Sequence, residues 1–213
     1  MRRIVALSLV ASALFVPSRV AAGPSGRPVA LVVAELSNEV LAVSLGPHGG
    51  HVLRTVHLDD PLMVATALVG PAVVVDPHGT VTLLAWHSLR RLKVFRGFRR
   101  PEVAAISPRG RYAYIADGGS GRLVVIDLQQ RRIVGHVFVG LQAHHLDFSP
   151  DGRRLWVSLG ETATTIVRLD TSSLRHPRVV GRIQPRLTAH GIEFAPDGRC
   201  RSFTEYWMLP RGT

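Results

Sequence analysis

The stretch AHHLDFSPDGRRLWVS occupies residues 143–158, and AHGIEFAPDGRC repeats its opening at residues 189–200. A catalytic residue is needed once, whereas a structural unit is written as often as it is built. Reading outward, the same pattern of apolar run, turn and second apolar run recurs along the chain. It appears as ALVVAELSNEVLAVSL from Ala30, AVVVDPHGTVTLLAW from Ala72, AYIADGGSGRLVVIDL from Ala113 and LWVSLGETATTIVRLD from Leu155. The steps between these starts are 42, 41 and 42 residues, and a weaker copy begins at Arg201, 46 residues after Leu155. A fixed period of this length marks a tandem array, in which each unit buries its apolar face against its neighbours.

Between residues 102 and 140 the sequence predicts VAAI, YAYIA, RLVVID and IVGHVFV as strands, with SPRGR, DGGSG and LQQRR as the turns between them. In the turn SPDG, Pro150 presets φ near −65°, Asp151 bonds its own backbone and Gly152 takes a conformation that other residues resist. No segment after residue 22 has helical periodicity. The predicted fold class is therefore all-β, with four-stranded antiparallel units, about four of them, repeated every 42 residues or so.

The segments SPRGRYAYIADGGSGRLVVIDLQQRRIVGHVFVG and SPDGRRLWVSLGETATTIVRLD resemble the repeat of the YVTN-type β-propellers, a family related in architecture to the WD-repeat and NHL-repeat propellers. The resemblance covers residues 29–198 and rests on the S/A-P-x-G-R turn, the paired apolar strands and the VVID or VRLD ending. Tyr-Val-Thr-Asn itself is absent, with YIAD and WVSL in its place, and the first two units lack the S/A-P-x-G turn. The resemblance implies blades stacked face to face around a channel, first strand innermost. It also implies closure with about seven blades. A chain that starts on a second strand and loses the pattern after Gly198 is then expected to form an incomplete ring. That open arc would expose a blade edge at each end and self-associate, as a shortened copy of a chain of about 340 residues, three units of about 42 longer.

The ends read differently. MRR, the apolar run IVALSLVASALFV and the small residues ending at Ala22 make residues 1–22 a secretory signal peptide, so the mature chain is expected to be secreted, periplasmic or extracellular, after cleavage near Ala22. Residues 23–198 hold the propeller repeats and residues 199–213 an atypical C-terminal tail. No later run is long enough for a membrane span. Cys200 is the only cysteine, which leaves no intramolecular disulfide and no multi-cysteine zinc site. The 46% hydrophobic content and mean hydropathy of +0.18 exclude a disordered chain.

The net charge of +11 shrinks to +6 over residues 23–198, because Arg2, Arg3 and Arg19 lie in the signal and the last fifteen residues hold +2. The arginines are spread through turns and do not interleave with aromatics, so no nucleic-acid partner is expected. A protein or acidic cell-surface ligand fits the charge better.

His144 and His190 each precede their turn proline by six residues, and Glu102 stands in that place one unit earlier. If the first strand is innermost, these residues and Asp60 form an arc at one channel mouth, a ligand or metal site built one residue per blade. The alternative is structural: in related propellers a histidine here ties the return loop to the turn between the second and third strands. His145 has no counterpart in other units. The candidate ligand-binding residues are Glu102, His144, His145 and His190; no catalytic residue and no cofactor is assigned. Asp127 and Asp170 end third strands at equivalent points and read as turn formers, and Trp86 and Trp156 as core.

The sequence contains no G-x-S-x-G, H-E-x-x-H, C-x-x-C-H or P-loop motif. The expected function is a secreted non-catalytic propeller acting as a binding scaffold. The competing class is a propeller enzyme of lactonase, quinoprotein or haem-propeller type with its site at the channel mouth.

Overall fold

The computed structural model describes residues 28–47, 49–186, 188–194 and the backbone of 200–204. The expected signal segment and cleavage site, and the end of the tail, lie outside the described residues. Apart from a single 3-10 turn at Glu35–Ser37, all regular structure among the described residues is strand.

Among the described residues, five antiparallel sheets follow one another along the chain. The first holds β1 (Val29–Ala34), β2 (Glu39–Gly46) and β3 (Gly49–His57). The second runs β4 (Met63–Ala65), β5 (Ala72–Asp76), β6 (Thr80–Ala85) and β7 (Arg90–Arg96). The third runs β8 (Pro101–Ile106), β9 (Tyr112–Asp117), β10 (Arg122–Asp127) and β11 (Arg132–Phe138). The fourth runs β12 (Ala143–Phe148), β13 (Arg154–Leu159), β14 (Ile166–Asp170) and β15 (Arg178–Ile183). The last pairs β16 (Gly191–Phe194) with β17 (Cys200–Thr204). Strand order inside each four-stranded sheet is sequential, and among the described residues no strand joins the first sheet to the last. The array is open.

The pairing of β16 with β17 extends the fifth sheet past Gly198, where the apolar pattern of the sequence stops. Backbone hydrogen bonds sustain this ladder without requiring the apolar alternation that the reading of the sequence looked for.

The first strands β4, β8, β12 and β16 stand side by side, each against the next, on the inner side of the array. The outer strands β7, β11 and β15 are mostly exposed. Stacking buries the middle strands on both faces: every residue of AVVVD in β5 and of YAYIAD in β9 is buried. Val73, Val75, Val81 and Leu83 of the second sheet meet Ala113, Ile115 and Ile126 of the third. On the other face of the third sheet Tyr114, Leu123 and Val125 meet Leu146, Phe148, Leu155 and Val157 of the fourth. This is how propeller blades stack. At the free end of the series the first sheet exposes Val32, Leu45 and Val52.

The turns behave as their residues dictate. Gly110 and Gly152 take φ of 70° and 69° in the two S-P-x-G turns, which glycine adopts without the penalty of a side chain. Asp127 Oδ1 accepts from the backbone N–H groups of Gln129 and Gln130, and Asp170 Oδ1 from that of Ser172. Trp86 and Trp156 pack, half-buried, against core clusters.

Candidate functional site

One β-bulge and an isolated bridge create the cluster at the start of β12. The ladder between β12 and β13 skips between Ala143 and Leu146, leaving His144 and His145 in the irregular step. Consecutive residues of a regular strand point to opposite faces, but an extra residue in a bulge re-aims its side chains. The two rings consequently lie together, with centroids 4.7 Å apart. Across the joint, the isolated bridge between Ala163 and Ala189 holds the chain immediately before His190 against the loop after β13. His190 then enters the same group, 5.4 Å from the His144 ring and 4.6 Å from that of His145.

Hydrogen bonding fixes this arrangement. His190 Nδ1 lies 2.8 Å from the carbonyl oxygen of Glu161, an acceptor only, so Nδ1 carries the proton and donates. The lone pair of His190 is thereby left on Nε2, which lies 3.2 Å from His145 Nε2. Ser158, fully buried in β13, receives the backbone N–H of His145 at 3.1 Å and donates its hydroxyl to the carbonyl of His190 at 3.2 Å. One serine thus ties both sides of the joint. His144 Nδ1 is buried and meets no hydrogen-bond partner among the described residues, an expensive state for a polar atom.

Electrostatics disfavour protonation of His144 and His145. Burial, with the neighbouring His144 and His190 adding to it, pushes the His145 pKa down to about 3. Burial and the adjacent His190 also lower that of His144. Both rings therefore offer lone pairs at neutral pH.

The other candidate residues are held elsewhere at the same end. Glu102, at the start of β8, pairs with Arg100 at 2.5 Å. Its carboxyl is raised by burial, with Glu161 and Asp117 pushing the same way and Arg100 opposing them. Asp60 pairs with His78 at 2.9 Å, within its own sheet. The described geometry therefore gathers two residues from one blade and one from the next, His144, His145 and His190, with Glu102 one blade away. Gly118 shows how tightly that neighbouring turn fits: a Cβ there would stand 3.0 Å from the Ala143 carbonyl oxygen and 3.4 Å from Glu102 Cγ.

Asp117 anchors the turn. Its Oδ1 accepts from the N–H groups of Arg99 and Arg100 at 3.0 and 2.7 Å, and its Oδ2 accepts from Ser120 Oγ at 2.6 Å. Asp117→Ala is expected to cost about 2 kcal/mol by stranding these donors, read as a lower urea midpoint with an unchanged m-value. The sequence shows Asp117 as part of the DGGSG turn, whereas Ser158 and Arg100 were not singled out in it. Ser158 sits as one hydroxyl inside the apolar run LWVSL, a signal that could have found it.

A separate open groove, lined by Val69, Pro71, Arg109, Arg111, Leu128 and Leu174, lies by the S-P-R-G turn at the opposite end of the strands.

Fold comparison agrees with the stacking described above. The chain is similar to a proposed 6-phosphogluconolactonase from Bacteroides uniformis, at 18% identity with a TM-score of 0.65 over 84% of this chain and 61% of that one. It is similar to a protein from Lactobacillus plantarum at 16% identity, TM-score 0.66, over 85% of this chain and 62% of that one. Hydrazine synthase of Kuenenia stuttgartiensis aligns at 21% identity, TM-score 0.59, over 65% of this chain and 40% of that one. The class is an all-β propeller, spanning from two fifths to about three fifths of the length of these solved structures. At such identities the likeness concerns fold. No protein-family model matches the sequence, and no curated protein matches it.

Proposed function

We propose that this chain is a secreted YVTN-type repeat propeller that works as a binding scaffold and takes its ligand at the inner-strand end lined by His144, His145 and His190. The observation that carries the reading is the convergence of three imidazoles from two adjacent blades, their ring nitrogens within 4.8 Å of one another. A histidine serving only its own blade would resemble His78, which closes on Asp60 of the same sheet. His144 Nδ1 meets no such partner among the described residues.

The test is a thermal-shift screen of the full chain against phosphorylated and carboxylated small molecules and cell-wall glycans, with His144→Ala/His190→Ala alongside. A stabilising compound is expected to lose its effect in the double variant. Hits that stabilise both proteins equally overturn the assignment of the site. Export is read separately, by N-terminal sequencing of the secreted chain, expected to begin at Gly23.

A lactonase-type enzyme is the second reading. It is favoured by the similarity to the proposed 6-phosphogluconolactonase and by the raised carboxyl of Glu102 beside the cluster. Lactone hydrolysis by the full chain, abolished in Glu102→Gln, would establish it in place of the scaffold.

A further inference from the structure

We propose that His144, His145 and His190 form a three-imidazole site for one borderline divalent transition-metal ion, with a coordination position left open to the inner-strand end of the blades. This rests on the reading of that end as the binding site and names the ligand class. Three independent features lead there.

The donor set comes first. Among the described residues the cluster consists of imidazoles alone, with no carboxylate or thiolate among the converging atoms. Imidazole suits zinc, copper, nickel and iron, whereas calcium and magnesium select oxygen ligands. Three histidines plus one open position is an arrangement that zinc adopts where it must also meet an exchangeable ligand.

Spacing is the second feature. With metal–nitrogen bonds of about 2.0–2.1 Å, two ligands of a tetrahedral ion stand about 3.3–3.4 Å apart. The Nε2 atoms of His145 and His190 are already separated by 3.2 Å. Without an ion that separation is a hydrogen bond, with His145 Nε2–H donating to His190 Nε2. A change of tautomer at His145 turns the proton away and leaves two lone pairs facing one point. The third imidazole needs only a side-chain rotation, since all three ligand atoms fall within 4.8 Å.

Support around the ligands is the third. A metal-bound histidine usually donates its other ring N–H to a carbonyl or carboxylate, which fixes the tautomer. His190 Nδ1 does so to the Glu161 carbonyl at 2.8 Å. The backbones of His145 and His190 share the hydroxyl of Ser158. A core cluster of Ala163, Ile166, Ala189 and Ile192 lies against the joint that carries His190. The burial of His144 Nδ1 without a partner is accounted for if that ring turns to the ion.

The test uses the full chain stripped with a chelator and dialysed against zinc, nickel or cobalt salts, with calcium and magnesium as controls. One zinc per chain is expected by elemental analysis, together with a zinc-dependent rise in melting temperature that calcium and magnesium do not give. Cobalt should produce the visible absorption of a tetrahedral nitrogen-ligated ion. His145→Ala and His190→Gln should each weaken zinc binding by about a hundredfold or more, while circular dichroism confirms that the variants keep their strands. His57→Ala and His78→Ala, outside the cluster, should bind as the parent does.

Zinc retained at full stoichiometry by the cluster variants would overturn the proposal, as would stabilisation by zinc that is unchanged in them. Absence of zinc binding in the parent would also overturn it. If compounds from the ligand screen still require the three histidines in that case, the inner-strand end remains the binding site and only the metal is lost. If neither depends on them, both readings fall.

Discussion

Replacing Tyr114 with alanine is expected to lower the stability of the chain by about 3–5 kcal/mol, the usual range for deleting a fully buried aromatic ring. Tyr114 is 0% exposed in the middle of β9. Its ring crosses the joint between the third and fourth sheets and meets Phe148 edge to face, centroids 5.0 Å apart. Its hydroxyl donates to the carbonyl of Leu174, in the loop between β14 and β15. Burial raises the phenol far above its ordinary pKa, so it remains a donor throughout the neutral range. Truncation to alanine opens a cavity walled by two blades, removes the aromatic pair and strands the Leu174 carbonyl. Tyr114→Phe separates these effects: it keeps the ring and loses only the hydroxyl bond, for about 1–2 kcal/mol. Urea titrations of the parent and both variants provide the check. A loss below 1 kcal/mol for the alanine variant would mean that the two blades do not stack through this residue.

The repeat period revealed the architecture because propeller blades are made of local hairpins, each specified by letters that lie close together. The S-P-x-G turns, the paired runs and the 42-residue step together placed β8 to β11 and the pair β13 and β14 nearly where they lie. Alternation was the weaker guide. A strand sandwiched between two neighbours buries both faces, so YAYIAD reads as one continuous run, and only the outer strands keep a solvent side. The strand at Cys200–Thr204 left only the weak fifth copy at Arg201 in the sequence, since its ladder is made by backbone atoms that carry no letter.

For the candidate site, repetition singled out one end of the blades and an evenly spaced set, one residue from each. The geometry depends on a departure from the repeat, the bulge at His144 and His145. A bulge changes which way a side chain points without changing composition or spacing. The pairings of Glu102 with Arg100 and of Asp60 with His78 were equally hidden. Each partner lies only a few residues from the candidate or across one turn, at a distance set by backbone path and not by periodicity.

Asp147 should make stability fall as pH rises from 4 to 7. It lies in β12, where Oδ1 accepts from the N–H of Phe148 at 2.8 Å and Oδ2 from that of Phe194 in β16 at 2.9 Å. Burial raises its pKa from 3.8 to about 6, with the nearby Glu193 adding to the rise while the two backbone donors oppose it. The sign follows from linkage: a group that holds its proton more tightly in the folded state stabilises that state while protonated. This contribution is complete below the unfolded pKa near 4 and is lost as pH passes through about 6. A shift of about two units corresponds to at most about 3 kcal/mol. Other carboxylates act in the opposite direction. Hydrogen bonds from Ser149 and the Arg153 backbone hold Asp151 low, and Ser172 does the same for Asp170, so both lose stabilisation as pH falls. The total stability curve mixes these effects, and the comparison that isolates Asp147 is the difference between the parent and Asp147→Asn. The asparagine has no proton to gain, and it can accept only one of the two backbone N–H groups, which lowers its stability by a constant amount. The parent's advantage over Asp147→Asn should therefore be greatest at pH 4 and shrink by up to about 3 kcal/mol by pH 7. Parallel curves across that range would show that Asp147 stays ionised in the folded chain, and that the two backbone donors outweigh its burial.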